Sequence, residues 1–248
     1  METSLNASDY GNLVHKILEI FTTKFPDVLP DNAYEELIKI AMEEFAKTNA
    51  DSQIKAFWWP LLEKTIKWII QTETEYRKNI TRTYAEVQGN MQIKAPAGDF
   101  TITARADRID ITTEGKINII DYKTGTPRTK DEVNAGYAPQ LPIEGLIASK
   151  GGFYKETDGI KFNIPALNVN ELSYWKLGDK LISYAVKDEE HKLNLIEKTE
   201  DNLQKLISIF DFETTSYMAR PNPKHLPKYS DYEHLARVKE WSVEADDE

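Results

Sequence analysis

Apolar side chains near the start of the chain recur every three or four positions, which is the spacing of one face of an α-helix. Three such stretches are predicted as helices, at residues 8–25, 31–48 and 51–79, and Asp31 is placed to cap the second. The apolar stripe of the first stretch consists of Val14, Ile17, Leu18 and Phe21. The aromatic residues Phe57, Trp58, Trp59 and Trp68 of the third stretch are expected in the core, since aromatics at helical spacing usually pack there.

From Thr81 onwards the alternation changes to a period of two, which is typical of β-strands. Gly89-Asn90 is predicted to be a turn between two of these strands, because glycine and asparagine favour turns. The last strand continues through Thr113-Glu114-Gly115 into a hairpin partner that ends at Lys123. The predicted strands before that turn cover 81–88, 91–94 and 100–111, and helical spacing returns at 137–149 and 187–211.

Two carboxylates of the predicted hairpin are candidates for a metal site. A turn centred on Glu114 places Asp107 directly opposite Asp121, with Lys123 on the same face. Facing carboxylates repel each other unless a cation lies between them, so this register favours a divalent metal site with a lysine beside it. A two-residue loop at Glu114-Gly115 would shift the register by one and turn one carboxylate to the other face. A solvated hairpin with surface charges is the remaining interpretation of these residues.

Two other acidic residues of these strands are interpreted differently. Asp110 is out of phase with Asp107, which indicates a structural role. Glu86 is a candidate for an outer metal ligand, although a surface role is the stronger expectation.

Composition and net charge exclude several kinds of site and indicate where the protein acts. The chain has 248 residues, a net charge of −10 and no cysteine, which excludes disulfides, thiolate zinc sites and an iron–sulfur cluster. The acidic net charge opposes long-range attraction to DNA, so a basic surface is expected from a partner subunit or from the remainder of a larger protein. No apolar run is long enough to span a bilayer and the N-terminus shows no secretory signal, so we expect a cytoplasmic protein with no membrane partner.

Several separated motifs resemble one family of nucleases. Asp107 followed by Asp121-Tyr122-Lys123 resembles the PD-(D/E)xK nuclease pattern, in its RecB/AddB exonuclease branch. Gly11 to His15 resembles the GxxxH motif of that branch, and Ala138-Pro139-Gln140-Leu141-Pro142 resembles its downstream glutamine motif. Two further segments are similar to the alphaproteobacterial AddB type, Phe57-Trp58-Trp59-Pro60 and Asp231 to Val238.

The resemblance implies a fold and a set of site residues. The fold would be α/β and restriction-endonuclease-like, with a central mixed β-sheet flanked by helices and an N-terminal helical region. Mg²⁺ or Mn²⁺ would be held by His15, Asp107, Asp121 and the Tyr122 carbonyl. Lys123 would orient the attacking water and stabilise the transition state, and Gln140 would orient DNA or a water. The implied catalytic residues are Asp107, Asp121, Lys123 and Gln140.

The function implied is metal-dependent hydrolysis of DNA phosphodiester bonds. The chain would be the nuclease part of an AddAB/RecBCD-like helicase–nuclease in double-strand break repair, with an AddA-like partner subunit. Two alternatives remain open, a catalytically silent DNA-binding or scaffold module of the same fold and a stand-alone defence nuclease. We expect one domain over 1–248, made of a helical part at 1–80, the catalytic core at 81–215 and an extended C-terminal strap and tail at 216–248.

Overall fold

A computed structural model describes residues 7–48, 52–157, 159–183 and 189–218 of the chain. Most of the C-terminal strap and all of the tail expected from the sequence lie outside the described residues. No helix within these described ranges has the length and apolarity that crossing a membrane requires.

The described residues form a helical N-terminal part, which is followed along the chain by an α/β core. The helices are α1 (Ala7–Lys24), α2 (Ala33–Ala46), α3 (Ser52–Tyr76), α4 (Lys130–Asn134), α5 (Gln140–Ser149) and α6 (Glu189–Phe210). The strands are β1 (Ile80–Ala95), β2 (Gly98–Thr112), β3 (Ile117–Lys123), β4 (Phe153–Thr157), β5 (Ile160–Asn163), β6 (Val169–Lys176) and β7 (Lys180–Ser183).

The strands of the described residues form a single mixed sheet in the order β5-β4-β1-β2-β3-β6-β7. The pair β3–β6 is parallel and the other neighbouring pairs are antiparallel. Successive residues of β3 face opposite cores: Ile119 packs in the core that includes α5 and α6, and Ile120 packs in the core beneath α1, α2 and α3. The expectation of a central mixed sheet flanked by helices is therefore confirmed.

The β2–β3 hairpin has the register that places Asp107 opposite Asp121. Arg108 pairs with Ile120 and Ile111 pairs with Ile117, so the next pair outward is Asp107 and Asp121. The loop contains three residues, and its last residue, Gly115, has a φ of 72° that favours glycine. The alternative with a two-residue loop is excluded.

The predicted turn at Gly89-Asn90 is wrong, because both residues lie inside the continuous strand β1. Gly89 pairs with Ala104 of β2 on one side and with Phe153 of β4 on the other. A Cβ at residue 89 would lie 2.5 Å from Cε1 of Phe153, so glycine permits a close approach here and does not reverse the chain.

Two smaller expectations about the N-terminal helices are also wrong. The N-cap of α2 is Asn32 and not Asp31, since the preceding turn, closed by a hydrogen bond from the Ala33 N–H to the Pro30 carbonyl, starts the helix one residue later. Trp58 is buried as expected, but Phe57 is 69% exposed because it lies on the outer face of α3.

Candidate active site

Glu86 and Asp107 face each other across the two longest strands. Ala85 pairs with Arg108 and Val87 pairs with Ala106, so Glu86 lies opposite Asp107. Glu86 has a φ of 51°, a left-handed conformation that is rare for residues other than glycine in a strand. Arg105 Nε lies 2.5 Å from Glu86 Oε2, which holds the carboxylate beside the strand. Backbone strain of this kind is concentrated at functional sites, and here it coincides with a pair of carboxylates.

His15 of α1 reaches this pair of strands from the helical layer. Its Nδ1 lies 3.5 Å from Asp107 Oδ2, and its Nε2 donates a hydrogen bond of 3.0 Å to the carbonyl oxygen of Tyr122. Burial alone would lower the pKa of His15, but the hydrogen bond and charge of Asp107 raise it above its ordinary value. Helix α1 buries Leu13 and Val14 on its apolar stripe, which leaves His15 beside that stripe and turned towards the sheet.

His15, Glu86 and Asp107 form a group that can hold a metal ion. One ligand atom from each residue lies within 4.8 Å of the others. A nitrogen and two carboxylate oxygens suit a transition ion such as Mn²⁺, and carboxylates also suit Mg²⁺. The donor set therefore fits a divalent cation.

Asp121 brings a buried carboxylate to the same end of the hairpin. Its side chain is 1% exposed, and the Lys123 ammonium lies 2.6 Å from Oδ2. Lys123 therefore forms a close ion pair with this buried carboxylate. Burial, followed by the charge of Asp107, raises the pKa of Asp121 to about 6. Burial disfavours the charged form of this carboxylate, and a bound metal ion or a proton would offset that cost.

The other oxygen of Asp121 is held from helix α5. Gln140, the first residue of α5, donates from Nε2 to Asp121 Oδ1 at 2.6 Å and to Glu144 Oε1 at 3.2 Å. Glu144 is 2% exposed, and its Oε2 has no hydrogen-bond partner among the described residues. Burial raises the pKa of Glu144 to about 8, so this carboxyl holds its proton at neutral pH. Gln140 therefore bridges a buried carboxyl group and the candidate metal ligand.

A network of buried charges supports the same strands from the opposite face of the sheet. Arg108 donates from Nε to both oxygens of Asp110 at 2.8 and 2.9 Å, and it also pairs with Glu73 of α3. Its guanidinium donates to the hydroxyl of Tyr122 at 3.1 Å and lies 5.1 Å from the ring centre of Trp175. The side chain of Tyr122 is thus held by Arg108, which pairs with Glu73 of α3, while the Tyr122 carbonyl accepts from His15. This arrangement agrees with the structural role expected for Asp110.

The structure places all the site residues expected from the sequence at one end of the β2–β3 hairpin. His15, Asp107 and the Tyr122 carbonyl meet, and Lys123 and Gln140 both contact Asp121. Two further residues belong to this region. The sequence predicts mainly a surface role for Glu86, because a turn at Gly89-Asn90 would hide its register with Asp107. Glu144 was not identified, although its position one helical turn after Gln140 is a signal for the same face.

Known proteins similar to this chain place it in a family. The chain matches the family model of the PD-(D/E)XK nuclease superfamily over residues 1–227. An uncharacterized protein of Rickettsia felis is 29% identical over an alignment of 257 residues, which covers 93% of this chain and 30% of that protein. An uncharacterized protein of Rickettsia conorii is 36% identical over 152 residues, which covers 60% of this chain and 18% of that protein. The chain thus spans less than a third of the length of these curated relatives.

A solved structure offers a weaker likeness. The crystal structure of SSO0001 matches 79% of this chain and 75% of its own chain, with 17% sequence identity and a TM-score of 0.27. A likeness at that TM-score is too slight to support a conclusion. The family model, in contrast, spans the candidate ligands, the lysine and the glutamine, and the chain therefore belongs to the PD-(D/E)XK nuclease superfamily.

Proposed function

We propose that this chain is a metal-dependent deoxyribonuclease and forms the nuclease part of an AddAB/RecBCD-like helicase–nuclease in double-strand break repair. The observation that carries the proposal is the cluster of His15, Glu86 and Asp107 beside the Asp121–Lys123 ion pair. Membership of a nuclease superfamily supports the same chemistry. The short match to longer relatives supports a chain that works as part of a larger protein.

The residues that would hold Mg²⁺ or Mn²⁺ are His15, Asp107, Asp121 and the Tyr122 carbonyl, with Glu86 as an additional ligand. When bound, such an ion supplies a Lewis acid for the phosphoryl oxygen and lowers the pKa of a bound water. The burial of the Asp121 carboxylate supports this assignment, because a bound cation would offset the cost of burying its charge. No cysteine is present, so an iron–sulfur cluster has no thiolate ligands here.

The remaining site residues are Lys123, which would stabilise negative charge, and Gln140, which holds Asp121 in position. Lys123 carries a positive charge 2.6 Å from Asp121 and is 34% exposed, so it can reach both the site and an incoming phosphate. In that position it would orient the attacking water and stabilise the negative charge that develops on the phosphoryl group. Gln140 holds Asp121 Oδ1, which leaves Oδ2 to the ammonium of Lys123.

We also propose a helicase partner subunit and a cytoplasmic location for the complex. The chain carries a net charge of −10, which opposes the approach of DNA at long range. An AddA-like partner with a basic DNA channel would overcome this repulsion and deliver a strand to the nuclease.

The proposed activity is tested by digestion of end-labelled linear DNA and of circular DNA, each single- and double-stranded, with Mg²⁺, Mn²⁺ or EDTA. We expect cleavage with a divalent ion and none with EDTA. Cleavage that persists in EDTA would contradict the metal-dependent mechanism. Failure to cut any of the substrates with either metal, by a chain that still binds Mn²⁺, would favour a catalytically silent module.

A further inference from the structure

A cleft opens where strand β1 separates from β4 and β5, and we name it the β1–β5 cleft. It is lined by Thr23, Pro26, Arg82, Thr83, Tyr84, Ala85, Lys155, Ile160 and Phe162 and has a volume of about 680 Å³. Its origin lies in the sheet. Among the described residues, β4 pairs with β1 at Gln88 and Gly89 and its other edge pairs with β5, so the part of β1 before Gln88 has no strand partner on this side. The cleft is thus a gap between two diverging strands of one sheet.

Aromatic rings form the apolar wall of the cleft. Tyr84 and Phe162 are stacked, with ring centres 6.0 Å apart and an angle of 22° between their planes. The Arg82 guanidinium lies 5.4 Å from the ring centre of Tyr84. Phe162 is 53% exposed and Ile160 is 73% exposed, which is unusual for apolar side chains beside a cavity. An exposed ring in an existing stack can accept one more planar group.

The charge of the residues that line the cleft differs in sign from the net charge of the chain. The chain has 41 acidic and 31 basic residues. Yet the described residues that line the cleft include Arg82 and Lys155 and no carboxylate. At the rim, Arg82 is paired with Asp27 at 3.3 Å, an exposed ion pair of the kind that contributes little. A positive lining on an acidic chain is complementary to an anionic ligand.

The cleft ends next to a candidate metal ligand in the sequence of β1, since Ala85 lines the cleft and precedes Glu86. Lys155 Nζ donates to the carbonyl oxygen of Ala85 at 2.6 Å and to that of Glu86 at 3.3 Å. Lys155 thus joins the cleft to the backbone of Glu86, whose side chain faces Asp107. Cations for phosphates beside a ring for a base are the two elements with which proteins hold single-stranded nucleic acid.

We propose that the β1–β5 cleft is a binding site for single-stranded DNA, in which an unpaired base stacks on Phe162 and the adjacent phosphates meet Arg82 and Lys155. The proposal rests on the nuclease function proposed above and adds where the strand lies before it reaches the metal ligands. A base within a duplex is stacked on its neighbours and has no free face for Phe162, so the site selects an unpaired strand.

The test compares the binding of labelled oligothymidylate with that of an abasic strand of the same length, measured by fluorescence anisotropy in EDTA. The two strands carry the same phosphate charge and differ only in their bases. Wild-type protein should bind oligothymidylate roughly 5- to 150-fold more tightly, the range for stacking one base on an aromatic ring. Phe162→Ala should bind both strands equally, with the affinity of wild type for the abasic strand.

Two further variants separate stacking from charge. Phe57→Ala is the matched control, because Phe57 is also an exposed phenylalanine but lies on α3, and it should behave as wild type. Arg82→Gln should weaken binding of both strands and reduce the slope of affinity against salt by about one, the effect of losing one phosphate contact.

The proposal is overturned if wild type binds the two strands equally, or if Phe57→Ala loses as much affinity as Phe162→Ala. It is also overturned if light scattering shows a wild-type dimer that Phe162→Ala converts to a monomer, since the cleft would then be an interface between copies. Because binding is measured in EDTA, base-dependent binding without cleavage in Mn²⁺ would reject only the nuclease function. Cleavage without base-dependent binding would reject only the cleft.

Discussion

Glu86 of β1 lies directly opposite Asp107 of β2, and it reaches that position in a left-handed backbone conformation with a φ of 51°. Burial raises the pKa of Glu86, while the charge of Arg105 opposes this shift. A strained carboxylate beside a second carboxylate and His15 is expected to serve the binding of a cation more than the stability of the strand.

Glu86→Gln should therefore weaken Mn²⁺ binding by roughly 10- to 100-fold, the range typical when a group that supports a metal site is removed. Calorimetric titration with Mn²⁺ measures this loss. Arg105→Gln is the matched control at the other side of the ion pair. It removes a positive charge beside Glu86, so its Mn²⁺ affinity should be unchanged or tighter. Equal affinity of Glu86→Gln and wild type would show that Glu86 is not a ligand.

His15 contacts Asp107 and the Tyr122 carbonyl but lies beside the buried stripe of α1. His15→Ala should lower Mn²⁺ affinity and the cleavage rate while the midpoint of thermal unfolding changes little. Leu18, which is 3% exposed on the same helix, provides the contrast. Leu18→Ala should cost about 2–5 kcal/mol of stability and leave the Mn²⁺ affinity of the folded protein unchanged. A large loss of stability in His15→Ala with unchanged Mn²⁺ affinity would make His15 a structural residue.

Glu144 should make the stability of the metal-free protein depend on pH. In the folded state its pKa is raised to about 8, whereas the unfolded chain titrates near 4.5. Below about pH 4.5 both states hold the proton; as the pH rises towards 8 only the unfolded state releases it, which favours unfolding. The stability contributed by the protonated carboxyl is thus lost as the pH rises, by an amount on the order of 5 kcal/mol.

The isosteric variant Glu144→Gln cannot titrate, so its gain in stability over wild type should grow between about pH 5 and pH 8. Urea denaturation in EDTA measures the difference at each pH. Glu200→Gln is the control, because Glu200 is partly exposed and paired with Lys150 at the surface, and its difference from wild type should stay flat. A difference for Glu144→Gln that does not change with pH would contradict the raised pKa.

Arg108 should be essential to stability, in contrast to exposed basic residues. It is 1% exposed and pairs with Glu73 and Asp110, so Arg108→Met leaves the buried Asp110 without its cation and Glu73 with Arg77 alone. We expect a loss of about 3–5 kcal/mol in the free energy of unfolding. Lys94→Met removes an ion pair with Asp99 in which the lysine is 85% exposed, and it should cost less than about 1 kcal/mol. Similar losses in the two variants, measured by urea denaturation, would contradict this account of the buried network.

The sequence predicts the central hairpin well because its register depends on local features. A three-residue turn ending in glycine and the alternation of β2 and β3 together place Asp107 opposite Asp121. The helices of the N-terminal part are likewise visible in their apolar spacing. Helix α5 ends at Ser149 as expected but begins at Gln140, three residues after the predicted start at residue 137.

Features that depend on contacts between distant parts of the chain cannot be predicted from local spacing. Gly89 resembles a turn residue, but it is required by the approach of Phe153 from β4. The turn that the sequence predicts at this position also hides the register that places Glu86 opposite Asp107. The buried pairing of Arg108 with Glu73 joins residues of β2 and α3 that are far apart in the chain, and only the folded structure brings them together.

The division of roles between Asp121 and Lys123 is the centre of this account. Asp121 is assigned as a metal ligand, whereas a protonated lysine has no lone pair with which to bind a cation. Asp121→Asn should therefore reduce both Mn²⁺ affinity and cleavage. Lys123→Met keeps most of the side-chain length and removes the charge. It should keep or tighten Mn²⁺ binding, while cleavage falls by about 10²–10³-fold, the usual cost of losing one preorganised electrostatic group.

The most direct measurement is single-turnover cleavage of an end-labelled DNA strand by wild type, Asp121→Asn and Lys123→Met, paired with calorimetric Mn²⁺ titration of each protein. We predict that Lys123→Met binds Mn²⁺ at least as tightly as wild type but cleaves far more slowly, and that Asp121→Asn loses both properties. Loss of Mn²⁺ binding in Lys123→Met as complete as in Asp121→Asn, or full cleavage by either variant, would contradict the account.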